Sequence, residues 1–104
     1  MGNIDNIKAL FIIVNAGFAN DVAELAYESG ASGATILNAR GEGAHHKSIL
    51  GITVDTEKDI VVCIADAAIS ERIMNAVKEN AGIKTPAHGI CFTLPVDKAV
   101  GLRA

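Results

Sequence analysis

Two adjacent histidines, His45 and His46, are the residues whose type first suggests chemistry, because imidazole serves both as a metal ligand and as a general base. Neighbouring side chains on an extended chain point in opposite directions, and neither histidine has a cysteine or carboxylate at ligand spacing. Ser48 follows closely, but no turn motif or oxyanion-hole donor accompanies it. The pattern therefore favours solvent-exposed histidines and predicts no catalytic constellation.

A short segment with two glycines, Arg40-Gly41-Glu42-Gly43, could hold a phosphate. The glycines would let backbone N–H groups approach an anion, and the arginine places a cation beside them. The segment lacks the third glycine and the helix of a dinucleotide-binding fingerprint, and it lacks the lysine of a P-loop. From these residues alone a flexible turn with a solvated arginine is favoured, and an anion site is the alternative.

Two carboxylates and two thiols have structural interpretations. Asp21 and Asp66 each stand at a predicted strand-to-helix junction, where a carboxylate satisfies helix N–H groups and the helix dipole. Cys63 and Cys91 lie within apolar runs and form no CxxC motif. We therefore expect buried free thiols rather than a disulfide or a metal site.

The composition excludes several classes of function. The chain has 104 residues, 50% of them hydrophobic, and a net charge of −3, so we expect one domain over residues 1–104 with its own core. An excess of acid provides no attraction for nucleic acid or an anionic membrane. The longest apolar runs, 9–14 and 60–65, are far shorter than the roughly twenty residues of a membrane-spanning helix. We predict a cytoplasmic protein that neither inserts into membranes nor binds nucleic acid.

The chain is organised as two βαβ halves. Apolar runs predict strands at 9–14, 33–40, 58–65 and 88–94. The first helix is expected from an Asp-x-x-Glu capping box that begins at Asp21 to a stop at Gly30. The second is expected from Ser70 as N-cap to Gly82. The order β-α-β-β-α-β with right-handed crossovers predicts an α+β, ferredoxin-like fold, with a four-stranded antiparallel sheet and both helices on one face.

Both faces of the predicted sheet are apolar. Every position in the runs 9–14 and 60–65 is hydrophobic, whereas a sheet with one solvated face alternates apolar and polar residues. The second face would be a larger apolar patch than soluble monomers expose, so we predict an obligate homo-oligomer. The alternative is that the tail 95–104 and the central loop cover this face.

The connection from Gly41 to Glu57 is long for a loop between two adjacent strands, and long loops in compact domains are usually functional. Ile52-Thr53-Val54, near its end, could extend the sheet.

With these elements and loops in place, the sequence resembles the PII family of nitrogen-regulatory signalling proteins over nearly the whole chain. The resemblance is carried by Gly33-Ala34-Thr35-Ile36 with Arg40-Gly41-Glu42-Gly43, by Gly89-Ile90-Cys91-Phe92, and by Val96 with residues 98–103. These segments resemble, in order, the strand that leads into the family's T-loop, the exit from its B-loop, and its C-terminal loop.

The resemblance implies a non-enzymatic homotrimer that requires no cofactor and binds an adenine nucleotide, such as ATP or ADP, between its subunits. The T-loop, with Glu42, His45, His46, Lys47 and Ser48 as its partner-facing residues, would dock on a transporter, an enzyme or a regulator linked to nitrogen metabolism or transport. Thr35 would contact the base, and Ile13 and Ile64 would form its apolar wall. Gly89 and Arg103 would face the phosphates. The ligand-binding residues implied are Ile13, Thr35, Arg40, Gly41, Gly43, Ile64, Lys84, His88, Gly89 and Arg103.

Several positions depart from the family pattern. Ile90 stands where a phosphate-binding lysine is expected, and Lys84 is the candidate substitute. The loop after Gly43 is shorter than the family's and contains no tyrosine, which excludes uridylylation there. A ferredoxin-like trimer that handles divalent metal through His45 or His46, similar to the copper-tolerance proteins, is the alternative function. An interaction module without a ligand is a third.

Overall fold

The computed structural model describes residues 6–41, 48–49, 52–53 and 56–102. The elements in chain order are β1 (Ile7–Asn15), α1 (Ala19–Glu28), β2 (Thr35–Gly41), β3 (Ser48–Ile49), β4 (Ile52–Thr53), β5 (Thr56–Asp66), α2 (Ala67–Asn80) and β6 (Ile90–Pro95). All four predicted main strands are present, with bounds within two residues of those expected.

The main sheet has the strand order β2-β5-β1-β6, and each neighbouring pair is antiparallel. This arrangement with two helices confirms the predicted ferredoxin-like fold. The short strands β3 and β4 form a separate two-stranded sheet, so the expectation that 52–54 extends the main sheet is wrong for Ile52 and Thr53. Their partners are Ile49 and Ser48, which lie just before them in the chain and are therefore easily reached. Val54 lies outside the described residues.

The core lies between the sheet and the two helices. Leu10, Ile12 and Val14, at alternate positions of β1, are fully buried, and β5 buries Val61 and Cys63 in the same way. They pack with apolar side chains of both helices, among them Val22, Ala26, Ile73 and Val77. Burying one such aliphatic side chain is worth about 1.5–3 kcal/mol. This layer therefore holds the helices on one face of the sheet and leaves the other face uncovered by them.

Helix α1 starts earlier than its sequence predicts. Its N-cap is Phe18, whose side chain makes no capping hydrogen bond, so the prediction of a capping box at Asp21 is wrong. A turn after β1, in which the Phe18 N–H donates to the Asn15 carbonyl, starts the helix two residues before Asp21. Asp21 lies in the first turn, where its charge still interacts favourably with the helix dipole. The stop at Gly30 is confirmed, because this residue has φ +114°.

Helix α2 is capped by Asp66 and not by Ser70. The Asp66 carboxylate accepts a hydrogen bond from the Ile69 N–H at 2.8 Å, which confirms the capping role expected of this acid. Ser70 lies within the first turn and is buried, and its hydroxyl donates to the Ala65 carbonyl at 3.5 Å. The junction between β5 and α2 is therefore direct, with no connecting loop.

Both cysteines are free, as predicted; Cys63 is buried and Cys91 is partly buried. Burial raises the pKa of the Cys63 thiol. Burial, together with the nearby Cys63, raises the pKa of Cys91 to about 11. Both thiols are therefore protonated and poorly nucleophilic near neutral pH. Among the described helices, none is long and apolar enough to cross a membrane.

Candidate functional site

The face of the sheet opposite the helices is a continuous apolar surface, here called the open face. Cross-strand pairing places on it Ala9, Phe11, Ile13, Thr35, Leu37, Ile60, Val62, Ile64, Ile90, Phe92 and Leu94. Ile90 is 54% exposed and Leu94 is 50% exposed. The prediction that both faces are apolar is therefore confirmed.

The described part of the C-terminal tail leaves the open face exposed. Val96 donates its N–H to the Ile7 carbonyl and is half-buried, and every residue from 97 to 102 is exposed. Val100 keeps its full accessible surface. Residues 96–102 thus do not provide the cover that the monomeric alternative requires.

The residues expected around an adenine base are spread along the open face. Thr35 pairs with Val62, so it is a diagonal neighbour of Ile64, a relationship that corresponds to about 7–8 Å. Ile13 pairs with Ile60, four residues along β5 from Ile64. At about 3.4 Å per residue, this offset separates Ile13 from Ile64 by about 14 Å along the sheet. One protomer therefore cannot place both isoleucines against the same base.

The base of the central loop lies at the Ile13 end of the sheet. Gly41 ends β2, and a Cβ atom at that position would lie 3.1 Å from Cε of Lys58. The lysine stem therefore passes over the glycine, and its amine donates to the Asn15 side-chain oxygen at 2.7 Å. Because cross-strand partners share a face, Lys58 and Asn15 lie on the open-face side of the sheet.

Arg40 lies on the other side of this sheet edge. Its cross-strand partner is Glu57. Gly41 and Lys58 are the next residues on the two strands, so the Arg40–Glu57 pair lies on the opposite face from them. A groove of about 650 Å³ runs along the edge, lined by Ala16, Asn38, Ala39, Arg40, Glu57, Lys58 and Asp59. In the anion site suggested for Arg40 and Gly41, the arginine therefore lies next to the Glu57 carboxylate. Lys58 is the cation that lies beside the glycine.

Residues 15–17 hold the loop base to the end of β1. The Ala16 N–H donates to the Glu57 carbonyl at 3.2 Å, and the Gly17 N–H donates to the Asp59 carboxylate at 3.1 Å. Gly17 has φ +100°, a conformation that glycine adopts without strain. These bonds fix where the loop leaves the sheet.

The segment 84–89, before β6, has a defined conformation. The Thr85 hydroxyl donates to the Gly82 carbonyl at 2.7 Å, and the Gly89 N–H donates to the Ala81 carbonyl at 2.8 Å. His88 has φ +51°, the left-handed region that non-glycine residues rarely adopt. Lys84 and His88 are both exposed. Backbone strain of this kind is concentrated at binding sites, so we regard the segment as part of the candidate site.

Segment 84–89 and the loop base meet at Asn15. Its N–H donates to the Ala87 carbonyl at 2.8 Å, and its side-chain NH₂ donates to the Pro86 carbonyl at 2.9 Å. Sequence reasoning missed Asn15 and Lys58 as site residues. Their signal in the sequence is position: Asn15 directly follows the first predicted strand, and Lys58 begins the third.

Other predicted site residues lie outside what the structure describes: Glu42, Gly43, His45, His46, Lys47 and Arg103. Ser48 belongs to β3 by its backbone. Within the described ranges, three or more His, Cys, Asp or Glu side chains nowhere group as a metal site would require.

The family model for nitrogen regulatory protein P-II matches residues 7–104. The chain belongs to the PII family. This result confirms the resemblance inferred from its loops and strand order. No curated protein sequence matches the chain.

Solved structures of PII proteins share this fold. A PII-like signaling protein from Thermus thermophilus has a TM-score of 0.65 and 20% identity, over 85% of this chain and 84% of that one. GlnK of B. subtilis has a TM-score of 0.65 and 13% identity, over 88% and 85% of the two chains. The GlnK–ATP complex has a TM-score of 0.69 and 11% identity, over 88% and 84%. At these identities the likeness establishes the fold alone.

Proposed function

We propose that this PII-family chain is a homotrimeric, non-enzymatic signal transducer that binds an adenine nucleotide between its subunits. The nucleotide, ATP or ADP, acts as effector and no resident cofactor is required. Binding regulates a transporter, enzyme or regulator through the loop 41–57, in a role linked to nitrogen metabolism or transport. The protein acts in the cytoplasm, without membrane insertion or nucleic acid binding.

The observation that carries the proposal is the split of the expected base-binding residues across the open face. Ile13 lies near segment 84–89 and the loop base, whereas Ile64 lies about 14 Å away along the strands and Thr35, on a different strand, is offset by about 7 Å. Two copies that stack their open faces can bring one end of the first against the other end of the second. A cleft between the two subunits then contains Ile13 of one copy and Thr35 and Ile64 of the other, which agrees with the family resemblance.

Association is also supported by the exposed apolar area. Leu37, Ile90, Phe92 and Leu94 are each 41–54% exposed in the isolated chain. Covering such side chains is favourable by about 25 cal/mol per Å² of apolar surface removed from water. The number of subunits, three, is taken from the PII resemblance. Burial of the apolar face supplies the driving force for association.

Within the described residues, the phosphate end of the proposed cleft has two lysines, and Arg40 lies on the other side of this sheet edge. Lys58 lies beside Gly41, and Lys84 is exposed at the start of segment 84–89. Ile90, which is exposed, stands where the family resemblance places a lysine. The GlnK–ATP complex shows that this fold accommodates ATP in that relative.

Thermal unfolding of the full chain with ATP, ADP, AMP or GTP tests ligand identity. A ligand that binds the folded state at one hundred times its Kd stabilises it by about 2.7 kcal/mol, so we expect a clear rise in Tm with ATP or ADP and none with GTP. Divalent metals without nucleotide form a separate arm. A shift with metal alone, and none with nucleotide at millimolar concentration, would contradict the proposal and favour the metal-binding alternative.

Thr35→Val tests the predicted contact with the base. Loss of one hydrogen bond is worth about 0.5–1.5 kcal/mol, so we expect ATP affinity, measured by calorimetry, to fall by about three- to tenfold. The matched control is Thr93→Val, because Thr93 pairs with Leu10 and lies on the helix side of the sheet. Equal affinities for the two variants would remove Thr35 from the site.

Signalling is tested by trypsin cleavage after Lys47, which lies in the loop 41–57. A ligand can change a loop only if it binds one loop conformation more tightly than another. We expect saturating ATP to change the cleavage rate at Lys47 several-fold, whereas GTP, which is not expected to bind, should leave that rate unchanged. An unchanged rate at Lys47 with ATP bound would contradict the signalling role.

A further inference from the structure

One side chain, Asn15, connects the loop base with segment 84–89. Its Oδ1 accepts from the Lys58 amine at 2.7 Å, and its Nδ2 donates to the Pro86 carbonyl at 2.9 Å. The Asn15 N–H donates to the neighbouring Ala87 carbonyl at 2.8 Å. Residues 43 and 71 positions away in the chain therefore meet at a single amide.

Both partners require the same orientation of this amide. A protonated lysine can only donate and a backbone carbonyl can only accept, so the oxygen must face Lys58 and the NH₂ must face Pro86. The Asn15 amide is planar and turns as a unit about the Cβ–Cγ bond. Its bonds to Lys58 and to the Pro86 carbonyl are therefore made at the same torsion angle. Rotation that releases one partner also releases the other.

Segment 84–89, to which Asn15 is hydrogen-bonded, contains an unfavourable backbone conformation. His88 follows directly after the two carbonyls that Asn15 binds, and its φ of +51° is unfavourable for a residue with a Cβ. The Lys58 end is also confined, because its stem packs against Gly41 at 3.1–3.8 Å. Movement of the chain at Gly41 therefore displaces the lysine that orients Asn15.

We propose that Asn15 is a coupling residue, which makes the conformation of segment 84–89 depend on the position of the Lys58 amine at the loop base. A molecule or a loop movement that draws Lys58 away frees the Asn15 amide to rotate and weakens its hold on Pro86. The link is present in the folded chain without a ligand. Its test is therefore independent of whether the protein binds a nucleotide.

Amide hydrogen exchange, measured by NMR on the full chain, distinguishes coupled from independent segments. The first variant is Lys58→Met, which keeps the apolar stem over Gly41 and removes the amine. The amine bonds to Asn15 and not to segment 84–89 itself, so independent segments would change only at the Ala16 and Gly17 amides. Coupling predicts about three- to tenfold faster exchange at the Asn15 and His88 amides as well, the range expected for one lost hydrogen bond.

The second variant, Asn15→Asp, has nearly the same shape and separates the two bonds. It keeps an oxygen for Lys58 and places a second oxygen against the Pro86 carbonyl, so we expect faster exchange at His88 and unchanged exchange at Ala16. Lys98→Met and Asn75→Asp make the same changes at exposed positions and serve as controls. Unchanged exchange at His88 in Lys58→Met overturns the proposal whatever Asn15→Asp shows, because Asn15→Asp alters the Pro86 contact directly. So does a uniform increase that includes core amides such as Val61, since that reports global destabilisation.

Discussion

Phe11 and Phe92 stack on the open face of the sheet, with ring centroids 5.4 Å apart and ring planes 11° from parallel. They are direct cross-strand partners in β1 and β6, and Val62 flanks Phe11 on its other side. Phe92 remains 41% exposed. Stacked aromatic pairs bury large apolar areas, so a pair left partly exposed on a sheet marks this face as a contact surface.

Phe92→Glu should dissociate the oligomer. A carboxylate at this position would be buried without a partner in a stacked interface, which costs several kcal/mol. Sedimentation velocity should show a slower particle than the unaltered protein. Ile83→Glu is the control, because Ile83 is 63% exposed in the turn after α2, outside the sheet. Retention of the original sedimentation coefficient by Phe92→Glu would mean that the open face is not the interface.

Gly89→Ala should destabilise the protein by about 1–3 kcal/mol, the range typical of steric changes at packed positions. A Cβ at Gly89 would collide with the backbone carbonyl oxygen of Ala81, which cannot move without disturbing the end of α2. Gly33→Ala is the matched control, because a Cβ there meets nothing within 4 Å. Urea unfolding at fixed protein concentration provides the comparison, and equal midpoints for the two variants would refute the predicted collision.

Asp66→Ala should lower the free energy of unfolding by about 1 kcal/mol, because it removes the N-cap bond to Ile69. Asp21→Ala should have a smaller effect, about 0.3–1 kcal/mol, which added salt reduces, since Asp21 acts only through the helix dipole. Chemical denaturation at low and high salt measures both. A larger loss for Asp21→Ala would contradict the assignment of the caps.

The Cys91 thiol should make stability fall at high pH. Burial first, and then Cys63, raise its pKa from the ordinary 9.0 to about 11 in the folded chain. The folded state therefore keeps its proton where the unfolded state has lost it, so this stabilisation is complete below pH 9.0 and is lost as the pH rises towards 11. Unfolding free energies of the unaltered protein and Cys91→Ala, measured from about pH 7 to 11, should converge above pH 9.0 as the unaltered protein loses stability. A constant difference would exclude a raised thiol pKa.

The sequence predicts the sheet and its two apolar faces well, because strand periodicity and apolar runs act locally. Helix starts are harder to predict. Ser70 has a typical N-cap residue type, yet β5 continues to Asp66 and the helix follows at once. The Asp-x-x-Glu pattern at Asp21 fails for a similar reason, since the turn after Asn15 starts the helix earlier.

The connections within the site could not be read from the sequence. Whether Lys58 lies beside Gly41 or on the opposite side depends on the register of β2 against β5, and a slip of one residue reverses it. The bond between Asn15 and Pro86 joins residues 71 positions apart and needs the β1–β6 pairing as well. The left-handed His88 also has no local signal, because glycine or asparagine would be the expected residue at such a φ.

The molar mass of the unaltered protein in solution tests the central claim, an association of open faces that creates clefts between subunits. Multi-angle light scattering at micromolar concentration, without nucleotide, should give three times the 10.8 kDa mass of the chain. A folded, monodisperse particle of 10.8 kDa would contradict it, because the two ends of the open face would then have no second copy to complete a site.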